Sequence, residues 1–364
     1  MVYRVIGLMS GSSLDGLDIV FAEFQETSGL WAFEIKASAC YSYDKVWEQK
    51  LRDCIYLSAK EYQLLHTAYG ELTGQMVNRF IEENNLQYQI QLIASHGHTS
   101  FHMPDKKMTA QLGDGAAIAA TTGINVVSDL RAMDIALGGQ GAPIVPIGEK
   151  LLFPKVQCFL NLGGIANLAF HDQEGIGNVQ AFDICPANRV LNLLAADAGQ
   201  PFDEGGELAR LGTVNMDLLT QLNCLEYYKK PAPKSLANDF GTDQVYPLIK
   251  KMGLNIVDEL RTYVEHICFQ ICESVKNMYS SNSKILITGG GAFNHFLIEI
   301  LSEKLEDINM HIEIPEPAII NNKEALIMGL IGVLRWREEN NVLASVTGAK
   351  KDSIGGAVWI GQDA

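Results

Sequence analysis

One order of elements runs through this chain twice, and that repetition constrains the fold more than any other feature. Near the N-terminus "VYRVIGLMS" and "LDIVFAEF" are strand-length apolar segments flanking a turn of glycine, serine and aspartate, and "WAFEIKASACYSY" supplies a third strand. A helical pattern follows between Glu61 and Asn84, apolar at Leu64, Leu65, Tyr69, Leu72, Met76 and Phe80. "IQLIASHGH" then reads as a buried strand ending in a polar turn. From about Val156 the order returns. "VQCFLNLGGIANLAFHD" is strand, Gly-rich turn and strand, and "GNVQAFDICPANRVLNLLAADAG" is a third strand entering a helix. A long helix follows with Ile256, Leu260, Val264, Ile267, Ile271 and Val275 on one face, and "KILITGGGAFNHFLIEIL" is strand, triple-Gly turn and helix. The halves share the order of elements and no obvious residue identity. Gly-rich turns at matching ends would make two jaws with a cleft between them. "ALGGQGAPIVP", Ala136 to Pro146, is the candidate boundary, although its glycines equally suit a binding loop.

With 364 residues and 47% hydrophobic content the chain has material for two domains or one large one. Lys plus Arg number 28 against 43 Asp plus Glu, a net charge of −15, which repels nucleic acid and anionic lipid. An anionic small molecule stays possible where backbone N–H groups or a metal ion neutralise it. Seven cysteines without a C-x-x-C pair argue against a disulfide framework and a structural zinc site. Cys158, Cys268 and Cys272 fall in apolar patterns and are expected as small buried hydrophobes. No signal-peptide pattern opens the chain and no apolar run is read as reaching membrane length, so the expectation is a soluble, cytoplasmic protein.

Several turns carry chemistry. In "MSGSSLDGLD", Gly11 and Gly16 leave room for a ligand, Ser10, Ser12 and Ser13 add hydroxyl donors, and Asp15 and Asp18 are able to hold a hydrated Mg²⁺. A decorated hairpin with local turn bonds explains the same residues equally well. The Walker pattern and G-x-G-x-x-G after the first strand are absent, so any nucleotide binds by another geometry. "NLGGIAN" repeats the device at Gly163 and Gly164. "TGGGAFN" brings Gly289, Gly290 and Gly291 before a helix whose N-terminus favours negative charge. Asp183 in "FDICPAN" ends a strand just before Pro186 and is either a general base or a helix-capping acid. His96 and His98 have the H-x-H spacing of metal ligands but lack a clustered acid or cysteine, so a substrate loop or structural cluster is the commoner explanation. "SDLRAMDIALGGQGAP" pairs Arg131 with Asp134 and sets Gln140 between glycines, a polar loop suited to a ligand rich in hydroxyls or merely a solvated ion pair.

Together "GLMSGSSLDGLD", "SHGHTSFH", "SDLRAMDIALGGQGAPIVP", "NLGGIAN", "FDICPAN", "PAPKS", "GGGAFN" and "SVTGA" occur in the order that anhydro-N-acetylmuramic acid kinases show, from Gly7 to about Gly348. The resemblance implies the superfamily of sugar kinases, Hsp70 and actin: an α/β fold of two RNase H-like domains flanking a central nucleotide cleft. The division would be 1–150 and 151–364, with the final helix and tail free to pack back on the first domain. It implies ATP and Mg²⁺ as cofactors and no protein-only metal site. Gly11, Ser12, Ser13, Leu14, Asp15, Gly16, Leu17 and Asp18 would form the phosphate loop, with Gly163, Gly164, Gly289, Gly290, Gly291 and Asn294 also on the nucleotide. Ser95, His96, His98, Arg131, Asp134, Gln140 and Asn161 would bind the sugar, and Asp183 would activate water. The implied reaction opens the bridge of 1,6-anhydro-N-acetylmuramic acid at C1 and phosphorylates O6, in recycling of the cell wall.

Departures are specific. The family's usual "FDTGPGN" is "FDICPAN" here, so Ile184, Cys185 and Ala187 replace Thr, Gly and Gly, and His98 stands where Gln is usual. Most members carry a threonine where Ser13 or its neighbour Ser12 provides the hydroxyl here. Two readings from other classes remain: an Hsp70- or actin-like ATP-dependent binding protein without sugar chemistry, and a metal-dependent hydrolase using His96 and His98. The partner expected is a small amino sugar, with no nucleic acid and no membrane; whether the chain forms a homodimer is open.

Overall fold

The computed structural model describes residues 1–11, 14–171, 179–232, 234–237, 239–276 and 283–362. The chain divides into two compact units, one of Met1–Pro154 with Asn322–Ala364 and one of Lys155–Asn321. The second domain therefore does not run on to 364: the tail from Asn322 belongs to the first unit, for a reason visible in its packing.

In the first unit β1 (Val2–Ser10), β2 (Leu17–Thr27) and β3 (Leu30–Tyr41) form an antiparallel meander. The helices Lys45–Asp53 and Ala59–Glu83 carry the chain over to β4 (Leu92–Met103), which lies parallel to β1, as a parallel pairing requires. The longer helix starts in a capping box, Ser58 and Glu61 satisfying each other's backbone N–H. β5 (Met108–Leu112) folds back on β4, and β6 (Val126–Ser128) lies parallel to it. The order is β6-β4-β1-β2-β3, with the C-terminal strand Ala357–Trp359 added antiparallel to β6.

That tail arrives through the helix Pro317–Trp336, which is long and apolar enough to cross a membrane, contrary to the expectation from sequence. It is a core helix. Ala325, Leu326, Ile327, Met328, Leu330, Ile331, Val333 and Leu334 are each at most 2% exposed, packed with Val5, Val20 and Phe24 of the sheet. A helix apolar on all sides belongs inside a protein as readily as inside a bilayer. Its Lys323 ammonium meets the buried Glu149 carboxylate at 2.8 Å.

The second unit repeats the plan. β7 (Cys158–Leu162), β8 (Ile165–His171) and β9 (Val179–Pro186) are antiparallel, β10 (Ser283–Thr288) is parallel to β7, and β11 (Met310–Glu313) is parallel to β10. The order β11-β10-β7-β8-β9 matches that of the first unit, so each unit is an α/β domain with the RNase H-like arrangement. The helix Ile256–Val275 buries Leu260, Val264, Ile267, Ile271 and Val275 completely, each contributing roughly 1.5–3 kcal/mol relative to exposure. Cys158 and Cys268 are buried in the same core and Cys272 is half-buried.

Candidate active site

The polar residues singled out by sequence fall into one set in each unit. In the first, the turn after β1 is described at Gly11 and from Leu14 onward; Ser12 and Ser13 lie outside the described residues. Leu14 has a left-handed φ of 59°, an uncommon backbone for a side chain of that size. Gly16 is dictated by close approach: a Cβ there would fall 2.6 Å from the Tyr41 carbonyl oxygen. Leu17 is buried and Asp15 exposed. Asp18, half-buried on β2, has its pKa raised chiefly by burial, with Asp15 and Glu324 adding like charge and the Cys40 thiol opposing through a hydrogen bond. The same burial and the Asp18 partnership push the Cys40 thiol up to about 12.

β4 does not end in a polar turn. It continues as a strand through "SHGHTSFHM" because β5 pairs with it, and its register to β1 shifts between Leu8–Ser95 and Ser10–His98. That irregularity sends the two histidines to different partners. His96 Nε2 accepts from Arg131 Nε at 2.8 Å, so its proton sits on Nδ1, 2.8 Å from the Gly97 carbonyl. Burial, then the Arg131 charge, hold its pKa down to about 3. Such a ring is a neutral spacer, not a base. On the other side the Tyr43 hydroxyl donates to Ser10 Oγ at 2.9 Å, and Ser10 Oγ lies 3.3 Å from His98 Nδ1. Tyr69 stands behind Tyr43 at 2.5 Å between hydroxyls. Burial lowers the pKa of the His98 ring as well. Ser95 is buried opposite Leu8. Among the described residues no group of three or more His, Cys, Asp or Glu is placed to hold a metal ion.

Arg131 is not paired with Asp134. Its Nη1 donates to the Gly141 carbonyl at 2.7 Å, and burial brings the guanidinium down to about 10, with Glu324 opposing. Asp134 is fully buried: Oδ2 accepts from the Gly141 N–H and Oδ1 from the Thr347 hydroxyl, both at 2.7 Å. It ties the glycine loop to the tail and presents no free carboxylate to a ligand. Gln140 is exposed in that loop, its N–H bonded to the Thr347 carbonyl at 2.8 Å. Glu324 was missed by sequence reasoning, since it lies in an apolar helix with no motif around it.

In the second unit the Gly163–Gly164 turn joins β7 to β8. Its carbonyls accept from the N–H groups of Ala187, Asn188 and Arg189, closing the N-terminus of the helix Asn188–Asp197. At Gly289 the φ is +82° and a Cβ would fall 2.4 Å from Asn161 Oδ1 and 2.8 Å from the Leu162 backbone, so only glycine fits. Gly290, Gly291 and Asn294 line a cavity of about 730 Å³ together with Asn188, Phe202 and Phe293. Asp203, Glu204 and Glu207 border it too, which disfavours an anion at this place. The helix terminus expected to attract negative charge is capped instead by Asn294, whose Oδ1 accepts from the Leu297 N–H at 3.0 Å.

Asp183 lies half-buried on β9, the edge strand, where its register to β8 shifts so that Asn167 faces Asp183 and Ala166 faces Cys185. The extra residue, Ile184, bulges, which is why Ile184 and Cys185 are both buried in succession. Ala187 is buried too. Ile184, Cys185 and Ala187 are thus all core residues, and burial raises the Cys185 thiol far above its usual range. Ser235 Oγ at 3.1 Å and the Leu236 N–H at 2.8 Å both donate to Asp183 Oδ2. Among the described residues no donor reaches Oδ1.

A family model described as anhydro-N-acetylmuramic acid kinase matches residues 3–361. The chain belongs to the anhydro-N-acetylmuramic acid kinase family. It is 33% identical to the anhydro-N-acetylmuramic acid kinase of Hydrogenovibrio crunogenus over 97% of each chain. It is 32% identical to that of Sulfurimonas denitrificans over 97% of this chain and 98% of that one. Among solved structures, an activator of 2-hydroxyisocaproyl-CoA dehydratase from Clostridium difficile with bound ADPNP aligns over 92% of this chain and 96% of its own, at 14% identity and a TM-score of 0.49. That likeness is too remote to carry an argument. As a member of the family the chain is a kinase, and a sugar is its small-molecule substrate.

Proposed function

We propose that the chain converts 1,6-anhydro-N-acetylmuramic acid to N-acetylmuramic acid 6-phosphate, hydrolysing the anhydro bridge and phosphorylating O6 in one coupled reaction of cell-wall recycling in the cytoplasm. The observation that carries the mechanism is Asp183: one carboxylate oxygen is held by two donors and, among the described residues, the other has none. In this reading Oδ1 takes a proton from water as its oxygen bonds C1. The C1–O6 bond breaks, its electron pair stays on O6, and O6 receives the phosphoryl group, bonding the γ-phosphorus of ATP as that atom's bond to the bridging oxygen breaks and ADP leaves.

ATP supplies that group, and the residues fit it. A glycine-lined cavity of about 730 Å³ with two phenylalanines suits a base, and its carboxylates suit ribose hydroxyls and keep phosphates away. The phosphate end is assigned to the turns at Gly11–Asp18 and Gly163–Gly164. Asp15 and Asp18 fit a cation that keeps its water and phosphate ligands, as Mg²⁺ does, because Asp18 sits among like charges. Arg131, oriented by His96, and His98 are the groups assigned to the sugar; Ser95, Asn161 and Gln140 complete the proposed set. Asp134 serves that site through the glycine loop.

The test is incubation with the anhydro sugar, ATP and Mg²⁺ in ¹⁸O-labelled water. Label at C1 of a 6-phosphorylated product is expected. A phosphorylated product with an intact bridge would overturn the mechanism, and absence of phosphorylation would overturn the substrate assignment.

A further inference from the structure

Lys234 and Ser235 close the "PAPKS" motif, to which sequence reasoning gave no role, and Leu236 follows it. In the fold this segment meets β9, the edge strand of its sheet, at Asp183. It meets Asp183 three times. The Asp183 N–H donates to the Lys234 carbonyl at 3.0 Å, and the Leu236 N–H and Ser235 hydroxyl both donate to Oδ2. From another direction the Tyr227 hydroxyl donates to the Asp183 carbonyl at 2.7 Å, and the Lys234 ammonium lies 4.8 Å from the centre of the Tyr227 ring. Backbone and side chain of a single aspartate are thereby fixed together, with both side-chain donors on the same oxygen.

We propose that Lys234–Leu236 is a positioning strap for Asp183, with Ser235 as the side chain that holds Oδ2 so that Oδ1 faces the reacting water. The inference rests on the reading of Asp183 as the base. A carboxylate on a bulged edge strand has two side-chain torsions to restrain, and a misplacement of about 1 Å at a reacting group costs on the order of 10²-fold in rate. The Leu236 N–H supplies one restraint and cannot by itself stop rotation about the Oδ2 contact. The Ser235 hydroxyl supplies the second. Ser235 is exposed, so its replacement leaves the core intact.

The experiment compares wild type with Ser235→Ala, Ser235→Thr, Asp183→Asn and the Ser235→Ala/Asp183→Asn double variant, using 1,6-anhydro-N-acetylmuramic acid and MgATP. Ser235→Ala is expected to lower kcat about 10-fold while KM for both substrates stays within about twofold, because the lost contact acts on the base and not on binding. Ser235→Thr, which keeps the hydroxyl, restores most of the rate. The double variant is no slower than Asp183→Asn alone, since a strap has nothing left to position. A Ser235→Ala rate within about twofold of wild type, a loss taken up by KM, or a loss of equal size when Asp183→Asn is already present overturns the strap while leaving the base in place. An Asp183→Asn variant within a fewfold of wild type removes the base itself and the strap with it.

Discussion

The two units share a strand order and differ in how their polar residues are used. In the first, the charged and polar groups beside β4 are buried and bonded to one another: His96 to Arg131, Arg131 to the Gly141 carbonyl, Asp134 to Gly141 and Thr347, Ser10 to His98 and Tyr43. In the second, Asp183 stands half-buried on an edge strand with one carboxylate oxygen held and the other without a donor among the described residues. A buried, bonded network is stiff and holds a shape; an oxygen without a donor is available for a proton. On the proposed reading, one fold used twice divides the labour, with rigidity in one half and the base in the other.

The largest effect is expected where the reactive half is broken. Asp183→Asn keeps the shape and removes the basic oxygen, so kcat falls by at least ~10²-fold while sugar and ATP still bind, as calorimetry and steady-state kinetics together would register. A helix-capping acid would instead lose ~0.3–1 kcal/mol of stability and keep its turnover.

Breaking the buried network of the first unit has the opposite signature. Asp134→Asn turns an NH₂ toward one of its two donors, the Gly141 N–H or the Thr347 hydroxyl, inside a fully buried site. The expected loss is about 1.5–3 kcal/mol in denaturant unfolding. At a temperature where the variant stays folded, kcat remains within about threefold. A collapse of kcat without loss of stability would mean that Asp134 meets the ligand directly.

Acid is a gentler probe of both halves. His96 in the first unit and His266 in the second are each held down to about 3 by burial, against an ordinary value of 6.5. Between these values the unfolded chain binds the proton and the folded one does not. Each ring's contribution is therefore complete above about pH 6.5 and is lost as pH falls toward about 3, at roughly 1.4 kcal/mol per pH unit for each. His266→Gln should flatten the slope of unfolding free energy against pH by one proton's worth and leave the His96 share intact. An unchanged slope between about pH 6 and about pH 4 would show that His266 takes up a proton in the folded state.

The smallest effect concerns the departures beside the base. Ile184→Thr puts a hydroxyl among buried apolar side chains. It should cost ~1–3 kcal/mol of stability with less than about a threefold change in kcat. A gain in stability would mean that the bulge has room and a partner for the hydroxyl.

Much of this was legible beforehand because it is local. Apolar alternation and spacing announced the strands and the two long helices, and ordered motifs announced the family across nearly the whole length. The partnerships were not legible, since they join residues far apart in the chain. Arg131 and Asp134, three apart, look like a pair, yet each bonds elsewhere because the short helix Ala132–Ala136 turns them to different neighbours. Ser235 lay in a quoted motif without a role and Glu324 in no motif at all, because both are defined by what lies across from them.

Sequence alone determined the doubled α/β plan, the family, and the candidate base, because periodicity and motif order are properties of consecutive residues. Only the tertiary structure decided that the apolar helix Pro317–Trp336 returns to the first unit's core rather than entering a membrane. It also decided that His96 is a neutral acceptor, and that one oxygen of Asp183 is held while the other is left without a donor among the described residues. The reason is physical: burial and hydrogen-bond direction are set by neighbours distant in the chain, and those same neighbours set the protonation of a side chain.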